Sequence, residues 1–396
     1  MRVLLCNKFY YPRGGDCIAV IALEALLKCK GHEVAIFSSA HKNNLPSKWS
    51  KYFPSEISFS GGGLRSKFKA FKRLFYSREV KRKFTALLDD FNPDIVHINN
   101  IHSYLSPSIV RIAAQRNIKV VWTVHDYKLV CPTYKLLRNN KICHDCYKCK
   151  AAVFTSKCMK NSYVASFLAY LEILFWNRRK LEHCTTSFVC PSHFMKQTMI
   201  DGGYDASKLN VIHNFLPNTS NLISEDHTST SNYYCFVGRL SEEKGVDILI
   251  DSAKKIDKEL VIIGDGPEMA SLVARADGAS NIQFVGFKSW PEMVPIISQA
   301  RFTVVPSVWH EVFGLTVIES MLLGRPVLGA RCGGIPELIQ EGVNGMTFER
   351  GNKDQLKQKI EEMFNYQFNS SYISSRAKER FSADNYYYQL IRIYYQ

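Results

Sequence analysis

Four charged residues in the second half of the chain have the types and spacing to hold an anionic, hydroxyl-rich ligand. Arg239 follows the apolar run Tyr234–Val237, and Lys244 leads into Gly245, where the next helical pattern starts. Two cations at one strand-to-helix junction suit a diphosphate, whose charge is spread over several oxygens. Glu311 and Glu319 stand on either side of Gly314, where a helix should begin. The free N–H groups and dipole at such a start make an anion site. The two carboxylates then reach past opposite ends of a bound diphosphate, one toward sugar hydroxyls and the other toward ribose hydroxyls. The same residues also admit a solvated reading: Arg239 and Lys244 paired with Glu242 and Glu243, Glu311 in a wet loop, Glu319 on a helix surface. Against it, Val317, Ile318, Met321 and Leu322 around Glu319 are a poor setting for an unpartnered charge.

The elements that must position these residues alternate between short apolar runs and helical patterns. Strands are expected at Val3–Asn7, Val34–Phe37, Ile95–Ile98, Val120–Val124 and Ser187–Cys190. In the second half they are expected at Tyr234–Val237, Leu260–Ile263, Gln283–Val285, Thr303–Val305 and Pro326–Leu328. Continuous apolar strands alternating with helices predict parallel sheets covered on both faces. The 396 residues exceed one ordinary core. The fold class that follows is α/β, two doubly wound Rossmann-like domains facing a cleft. The first would span 1–213, with a Cys-rich insertion at 128–160. A Ser/Thr/Asn-rich linker at 214–232 and a second domain at 233–375 follow. The Tyr-rich stretch 376–396 reads as a helix packing back on the first domain.

Further motifs extend the pattern. Gly-Arg-Leu-x3-Lys-Gly covers Gly238–Gly245, Gly-Asp-Gly-Pro covers Gly264–Pro267, Glu-x7-Glu covers Glu311–Glu319, and Gly-Gly-x-Pro-Glu covers Gly333–Glu337. In this combination the chain resembles the retaining glycosyltransferases of family 4, with the GT-B fold. The resemblance implies that Arg239 and Lys244 neutralise the donor diphosphate, and that Glu311 holds the donor sugar with backbone N–H groups near Phe313, Gly314 and Leu315. It also implies that Glu319 binds the ribose and that the loop Gly286-Phe287-Lys288 borders the base. It gives His125, Arg239, Lys244 and Glu311 as the catalytic set, and retention of configuration. The sequence contains no Asp-x-Asp for a metal on the diphosphate. Catalysis is therefore expected without a cofactor, the cations and the helix start doing that neutralisation. The expected partners are a nucleotide-diphosphate sugar and a saccharide or lipid-linked saccharide acceptor, the reaction moving a hexose-type sugar in polysaccharide, capsule or lipopolysaccharide assembly.

The first half would serve the acceptor. Gly14 and Gly15 end a turn between the first strand and a helix, and paired glycines let backbone N–H groups approach a phosphate; the resemblance places this loop over the donor phosphates and acceptor. His125 ends another strand, and the resemblance puts it on the donor sugar. Residues 1–185 hold 31 Lys and Arg against 12 Asp and Glu. The stretch 65–83 concentrates nine of those cations, with Phe68, Phe71, Leu74 and Phe75 at helical spacing. It reads as a basic amphipathic helix for an anionic membrane surface, or as a docked helix with a solvated face. The N-terminus lacks the long apolar core of a signal peptide, and no uncharged run is long enough to span a bilayer. The expected location is cytoplasmic, peripheral on the membrane's inner face. Cys131, Cys143, Cys146, Cys149 and Cys158 crowd together with spacing that favours metal thiolates over disulfides. Some four of them would hold structural zinc, without the spacing choosing which. Two rival functions fit parts of the pattern. A nucleotide-sugar epimerase would need only the donor site. A nucleic-acid-binding protein would use the basic half and the cysteines, but leaves Arg239, Lys244, Glu311 and Glu319 unexplained.

Overall fold

The computed structural model describes residues 1–57, 73–139, 141–216 and 231–396. The chain divides into two compact units: Met1–His213 with Tyr386–Gln396, and Asn214–Asn385.

The first unit contains β1 (Arg2–Cys6), β2 (Glu33–Phe37), β3 (Ile95–Ile98), β4 (Lys119–Thr123), a small hairpin of β5 (Leu137–Arg138) and β6 (Lys141–Ile142), then β7 (Ser187–Cys190) and β8 (Leu209–Val211). Six of them form one parallel sheet in the order β2-β1-β3-β4-β7-β8. Strands such as Arg-Val-Leu-Leu-Cys and Ile-Val-His-Ile are buried along nearly their whole length, as a sheet covered on both faces requires. His97 inside β3 is tolerated because it is fully satisfied. Its Nδ1 meets the Tyr394 hydroxyl at 2.6 Å and its Nε2 meets Thr123 Oγ1 at 2.7 Å. Lys119 Nζ donates to the Tyr394 carbonyl at 2.9 Å, and His32 bonds the Tyr387 hydroxyl at 2.8 Å. These bonds fasten the end of the last helix, Ala383–Tyr395, to the first sheet.

The second unit contains β9 (Tyr233–Val237), β10 (Glu259–Ile263), β11 (Ile282–Gly286), β12 (Thr303–Val305), β13 (Val327–Ala330) and β14 (Gly345–Phe348), all parallel in the order β11-β10-β9-β12-β13-β14. Alternate side chains enter opposite cores. Tyr234, Phe236, Leu260 and Ile262 join one cluster, while Cys235, Val237, Val261 and Ile263 join the other. The strand order reverses direction between β9 and β12, and between β1 and β3 in the first unit. Ligands of open parallel sheets sit beyond the strands' carboxyl ends at such switch points.

The stretch 65–83 lies outside the described residues up to 72. The remainder is not one surface helix. Helical structure ends at Phe75, and Ser77 Oγ accepts from the Val80 N–H to cap a new helix, Arg78–Phe91. Arg73 is buried, donating to the Tyr104 carbonyl at 2.9 Å and to Glu79 at 3.0 Å. The expected lipid-facing cation is thus an internal tie. Most of the expected linker, 217–230, also lies outside the described residues. Among the described residues no helix is long and apolar enough to cross a membrane.

Candidate functional site

In the second unit, the two loops beyond β9 and β12 carry the charged residues. Gly245 begins the helix Val246–Ala253 at φ +66°, and a Cβ there would lie 2.2 Å from the Pro306 carbonyl oxygen. Only glycine permits that approach, and it brings Lys244 beside the loop after β12. Lys244 Nζ donates to Glu311 Oε1 at 2.7 Å and lies 5.8 Å from the centre of the Trp309 ring. Ser307 Oγ donates to the same carboxylate oxygen at 2.6 Å. Burial pushes the Glu311 carboxyl up, but Lys244, Ser307 and Trp309 together hold it below the usual carboxylate range. Glu311 is therefore ionised, buried and held in place.

Gly333-Gly334 supports Glu311 from behind. Gly333 has φ +60°, and a Cβ there would fall 2.1 Å from the Glu311 carbonyl oxygen. Gly334 N–H donates to that oxygen at 2.8 Å, and Gly333 N–H donates to His310 Nδ1 at 3.1 Å. The Gly-Asp-Gly-Pro loop plays the same part for the Arg239 loop. A Cβ on Gly264 would meet the Gly238 carbonyl oxygen at 1.9 Å, and one on Gly266 the Leu240 carbonyl oxygen at 2.1 Å. Leu240 N–H donates to the Asp265 carbonyl at 2.9 Å. Arg239 itself is exposed and makes no ion pair among the described residues. Lys244 thus pairs with Glu311, and no ion pair to Glu242 or Glu243 is found for Arg239 among the described residues.

The helix Leu315–Leu322 starts at Gly314, whose φ is +109°. Its first N–H groups point back along the axis, where an anion gains roughly 0.3–1 kcal/mol per charge from the dipole. Phe313 is buried, and Leu315 packs against the core. Glu319 lies in the second turn, half-buried, and its carboxylate makes no hydrogen bond or ion pair among the described residues. Burial alone pushes its carboxyl up to about 7. At the end of β11, the Gly286 carbonyl accepts from the Gly264 N–H at 2.9 Å. Phe287, next in the chain, is 77% exposed, an apolar face offered to solvent at the strand ends. Lys288 follows, half-buried.

In the first unit, Gly14 caps the helix Gly15–Cys29, and Asp16 occupies its first turn. Asp16 Oδ2 accepts from Asn100 Nδ2 at 2.7 Å and lies 3.6 Å from Lys8 Nζ. His125 Nε2 meets Asn99 Oδ1 at 2.9 Å, so the ring donates there and keeps Nδ1 as an acceptor. Burial pushes the His125 pKa down to about 4; Asp16 opposes this and Lys8 adds to it. The imidazole is thus neutral at neutral pH. Lys8, Asp16, Asn99 and Asn100 carry no recognisable motif. The available signal was position: polar residues directly after β1 and β3, at the switch point. Ser307, directly after β12, was legible in the same way.

All twelve cysteines are free thiols. Of the five expected metal ligands, Cys131 and Cys146 are buried, Cys143 and Cys158 half-buried, and Cys149 exposed.

Residues 19–217 match the model of Glycosyltransferase Family 4, and residues 220–380 match that of Glycosyl transferases group 1. The chain belongs to glycosyltransferase family 4. An uncharacterized glycosyltransferase of Methanocaldococcus jannaschii is 39% identical over 137 residues, covering 34% of this chain and 38% of that protein. This chain therefore spans well under half the length of that relative. A Klebsiella pneumoniae protein described as an uncharacterized 42.6 kDa protein in the cps region is 26% identical over 85% of this chain and 87% of its own. The crystal structure of an Anabaena protein in complex with UDP superposes with a TM-score of 0.66 at 18% identity, covering 99% of both chains. That likeness shows the two-domain GT-B fold.

Proposed function

We propose that this family 4 glycosyltransferase moves a hexose-type sugar, with retention and without a metal, from a nucleotide-diphosphate donor to a saccharide or lipid-linked saccharide acceptor. The observation that carries the reading is the arrangement around Gly314. An ionised, clamped Glu311 lies on one side of a helix start, and on the other a half-buried Glu319 whose carboxylate has no hydrogen-bond partner among the described residues. A ribose would supply the hydroxyl donors that this carboxylate lacks. Arg239, exposed and unpaired, and Lys244 provide the positive charge for the diphosphate, with the helix N–H groups adding to it. Phe287 gives the base a surface to stack on. The related Anabaena protein, crystallised with UDP, supports a nucleotide as the ligand class. The cps-region relative supports polysaccharide assembly as the setting.

In this reading the bond from the anomeric carbon to the diphosphate oxygen breaks as the acceptor hydroxyl adds on the same face. The acceptor proton passes to the departing phosphate oxygen. Arg239, Lys244 and the helix start stabilise the charge that builds there. Glu311 is a poor candidate for a nucleophile. Its Oε1 already accepts from Lys244 and Ser307, so it orients sugar hydroxyls instead. Neutral His125 is suited to hydrogen-bonding a sugar hydroxyl through Nδ1. The test is a thermal-shift screen of nucleotide sugars, followed by transfer assays on the binders with NMR of the product anomer. Stabilisation by one nucleotide family and a retained anomer are expected. An inverted product, or no stabilisation by any nucleotide sugar, would overturn the reading.

A further inference from the structure

The helix Tyr163–Phe175 docks on the first unit by one side only. Ala169 joins Cys146 and Val153 in a small core. Ser166 Oγ accepts from the Met159 N–H at 2.9 Å, and Glu172 Oε2 accepts from Lys128 Nζ at 2.8 Å. Glu172 is the one acid of the helix, and its side chain is buried in that ion pair. At about 100° per residue, Ser166, Ala169 and Glu172 share one arc of roughly 120°.

The opposite side faces solvent and is wholly apolar. Val164 is 72% exposed, and Tyr163, Phe167, Leu174 and Phe175 are 44–54% exposed. The same helical geometry places these five within an arc of roughly 120° facing away from the docked side. They are five of the fourteen large apolar side chains exposed among the described residues, so the exposure is a patch rather than a scatter. Phe154 extends the patch, its ring centre 5.8 Å from that of Tyr163 and 5.5 Å from that of Phe167.

Cations flank this patch at both ends of the helix. Residues 147–180 hold seven Lys and Arg against one acid, the inward Glu172. Before the helix, Lys157 Nζ lies 4.2 Å from the centre of the Tyr163 ring, and Lys160 is exposed. After it, Arg179 is exposed, and Lys180 Nζ lies 5.2 Å from the centre of the Phe175 ring. Lys160 and Arg179 make no ion pair among the described residues. Protein interfaces are poor in lysine. An apolar strip between unpaired cations, with no acid on its open side, instead complements the acyl boundary and anionic headgroups of a lipid leaflet.

We propose that this side of Tyr163–Phe175 binds an anionic lipid surface. The helix lies in the plane of the leaflet, with Val164, Phe167 and Leu174 below the headgroups and Lys160 and Arg179 on the lipid phosphates. The membrane contact thus falls on a different element from the basic stretch 65–83, whose Arg73 is buried. It needs neither donor nor acceptor, so it stands or fails apart from the transfer reaction.

The test is flotation of the full chain with lipid vesicles. Vesicles of phosphatidylcholine with about one-third phosphatidylglycerol should carry the protein, and pure phosphatidylcholine should carry it at least about tenfold less well. Added salt should weaken the binding. Val164→Ser/Phe167→Ser and Lys160→Glu/Arg179→Glu should each lower affinity for the mixed vesicles at least about tenfold. All four side chains are exposed, so both double variants should melt like wild type in solution. Equal binding to the two kinds of vesicle, wild-type affinity in either double variant, or a dimer in solution that Val164→Ser/Phe167→Ser splits would each overturn the proposal.

Discussion

Lys244 Nζ lies 2.7 Å from Glu311 Oε1, although 67 residues separate them in the chain. Each was expected on a different part of one ligand, the cation on the diphosphate and the carboxylate on the sugar. In the proposed reading the pairing joins the two subsites before any donor arrives. Lys244 holds the buried Glu311 ionised, and Glu311 holds a flexible ammonium in the place proposed for the diphosphate. Removing Lys244 should therefore do two things. Lys244→Met should lower transfer at least about a hundredfold, by taking away charge that stabilises the leaving group. It should also destabilise the fold by about 1–3 kcal/mol, because Glu311 loses its main partner. Chemical denaturation and transfer kinetics on the same protein check both. The pH dependence has a definite sign. The folded-state pKa of Glu311 is below its ordinary 4.5, so its stabilising contribution is present above pH 4.5 and is lost as pH falls through the lower folded value. In Lys244→Met the folded-state pKa of Glu311 rises toward or past 4.5, so that acid-side loss should shrink or disappear.

Glu319 should show the opposite linkage. Its carboxyl is raised from 4.5 to about 7 by burial. Between those values the folded protein binds more protons than the unfolded chain, so stability falls as pH rises through the window and levels off above 7. Glu319→Gln should remove that slope and be more stable than wild type at pH 8, by at most roughly 3 kcal/mol. The same substitution should weaken nucleotide binding by about ten- to a hundredfold, because a neutral amide is a weaker acceptor for ribose hydroxyls. Denaturation curves at pH 5 and pH 8, with nucleotide titrations, read both effects. A variant less stable at pH 8 with unchanged affinity would remove Glu319 from the site.

How much of this was legible in the sequence depends on what each residue does locally. Ile95–Ile98 and Thr303–Val305 are mostly β-branched, and they form strands over those same residues. The strands Leu209–Val211 and Gly345–Phe348 gave no comparable signal. The first is three residues long with a central Asn, and the second opens on glycine. Both are edge strands, held by one neighbour, so tertiary pairing rather than propensity makes them. Glu311 and Lys244 stood out as charges at strand-to-helix junctions, and the structure places them in contact. Asn100 and Ser307 carried only the weaker signal of position after a strand end, because small polar residues at turns are common. The basic stretch 65–83 shows the converse. Charge and periodicity read as a surface helix, but Arg73 is consumed by Glu79 and Tyr104 inside the fold.

Gly333 offers a clean separation of strain from collision. Gly333 and Gly351 both have positive φ, but a Cβ on Gly351 meets nothing within 4 Å, whereas one on Gly333 strikes the Glu311 backbone at 2.1 Å and 2.5 Å. Gly351→Ala should therefore cost about 1 kcal/mol of stability, the left-handed penalty alone, and leave transfer intact. Gly333→Ala should displace the Glu311 loop and lower kcat at least about tenfold. Equal activities in the two variants would show that the Gly-Gly loop does not position Glu311.

Arg239 should behave as a residue held ready for ligand rather than for the fold. It is exposed and has no ion pair among the described residues, so Arg239→Ala should change stability by no more than about 0.5 kcal/mol. Its absence should be felt when the diphosphate arrives, as a loss of about tenfold or more in kcat/KM for the donor. Excess chelator should leave wild-type transfer unchanged if, as proposed, Arg239, Lys244 and the helix start at Gly314 supply the charge that a divalent ion would otherwise supply. The two measurements bear on each other. If magnesium or manganese restored the activity of Arg239→Ala without affecting wild type, the metal would be filling the place of the lost cation. If chelation abolished wild-type transfer and magnesium restored it, the diphosphate would not be neutralised by these side chains alone.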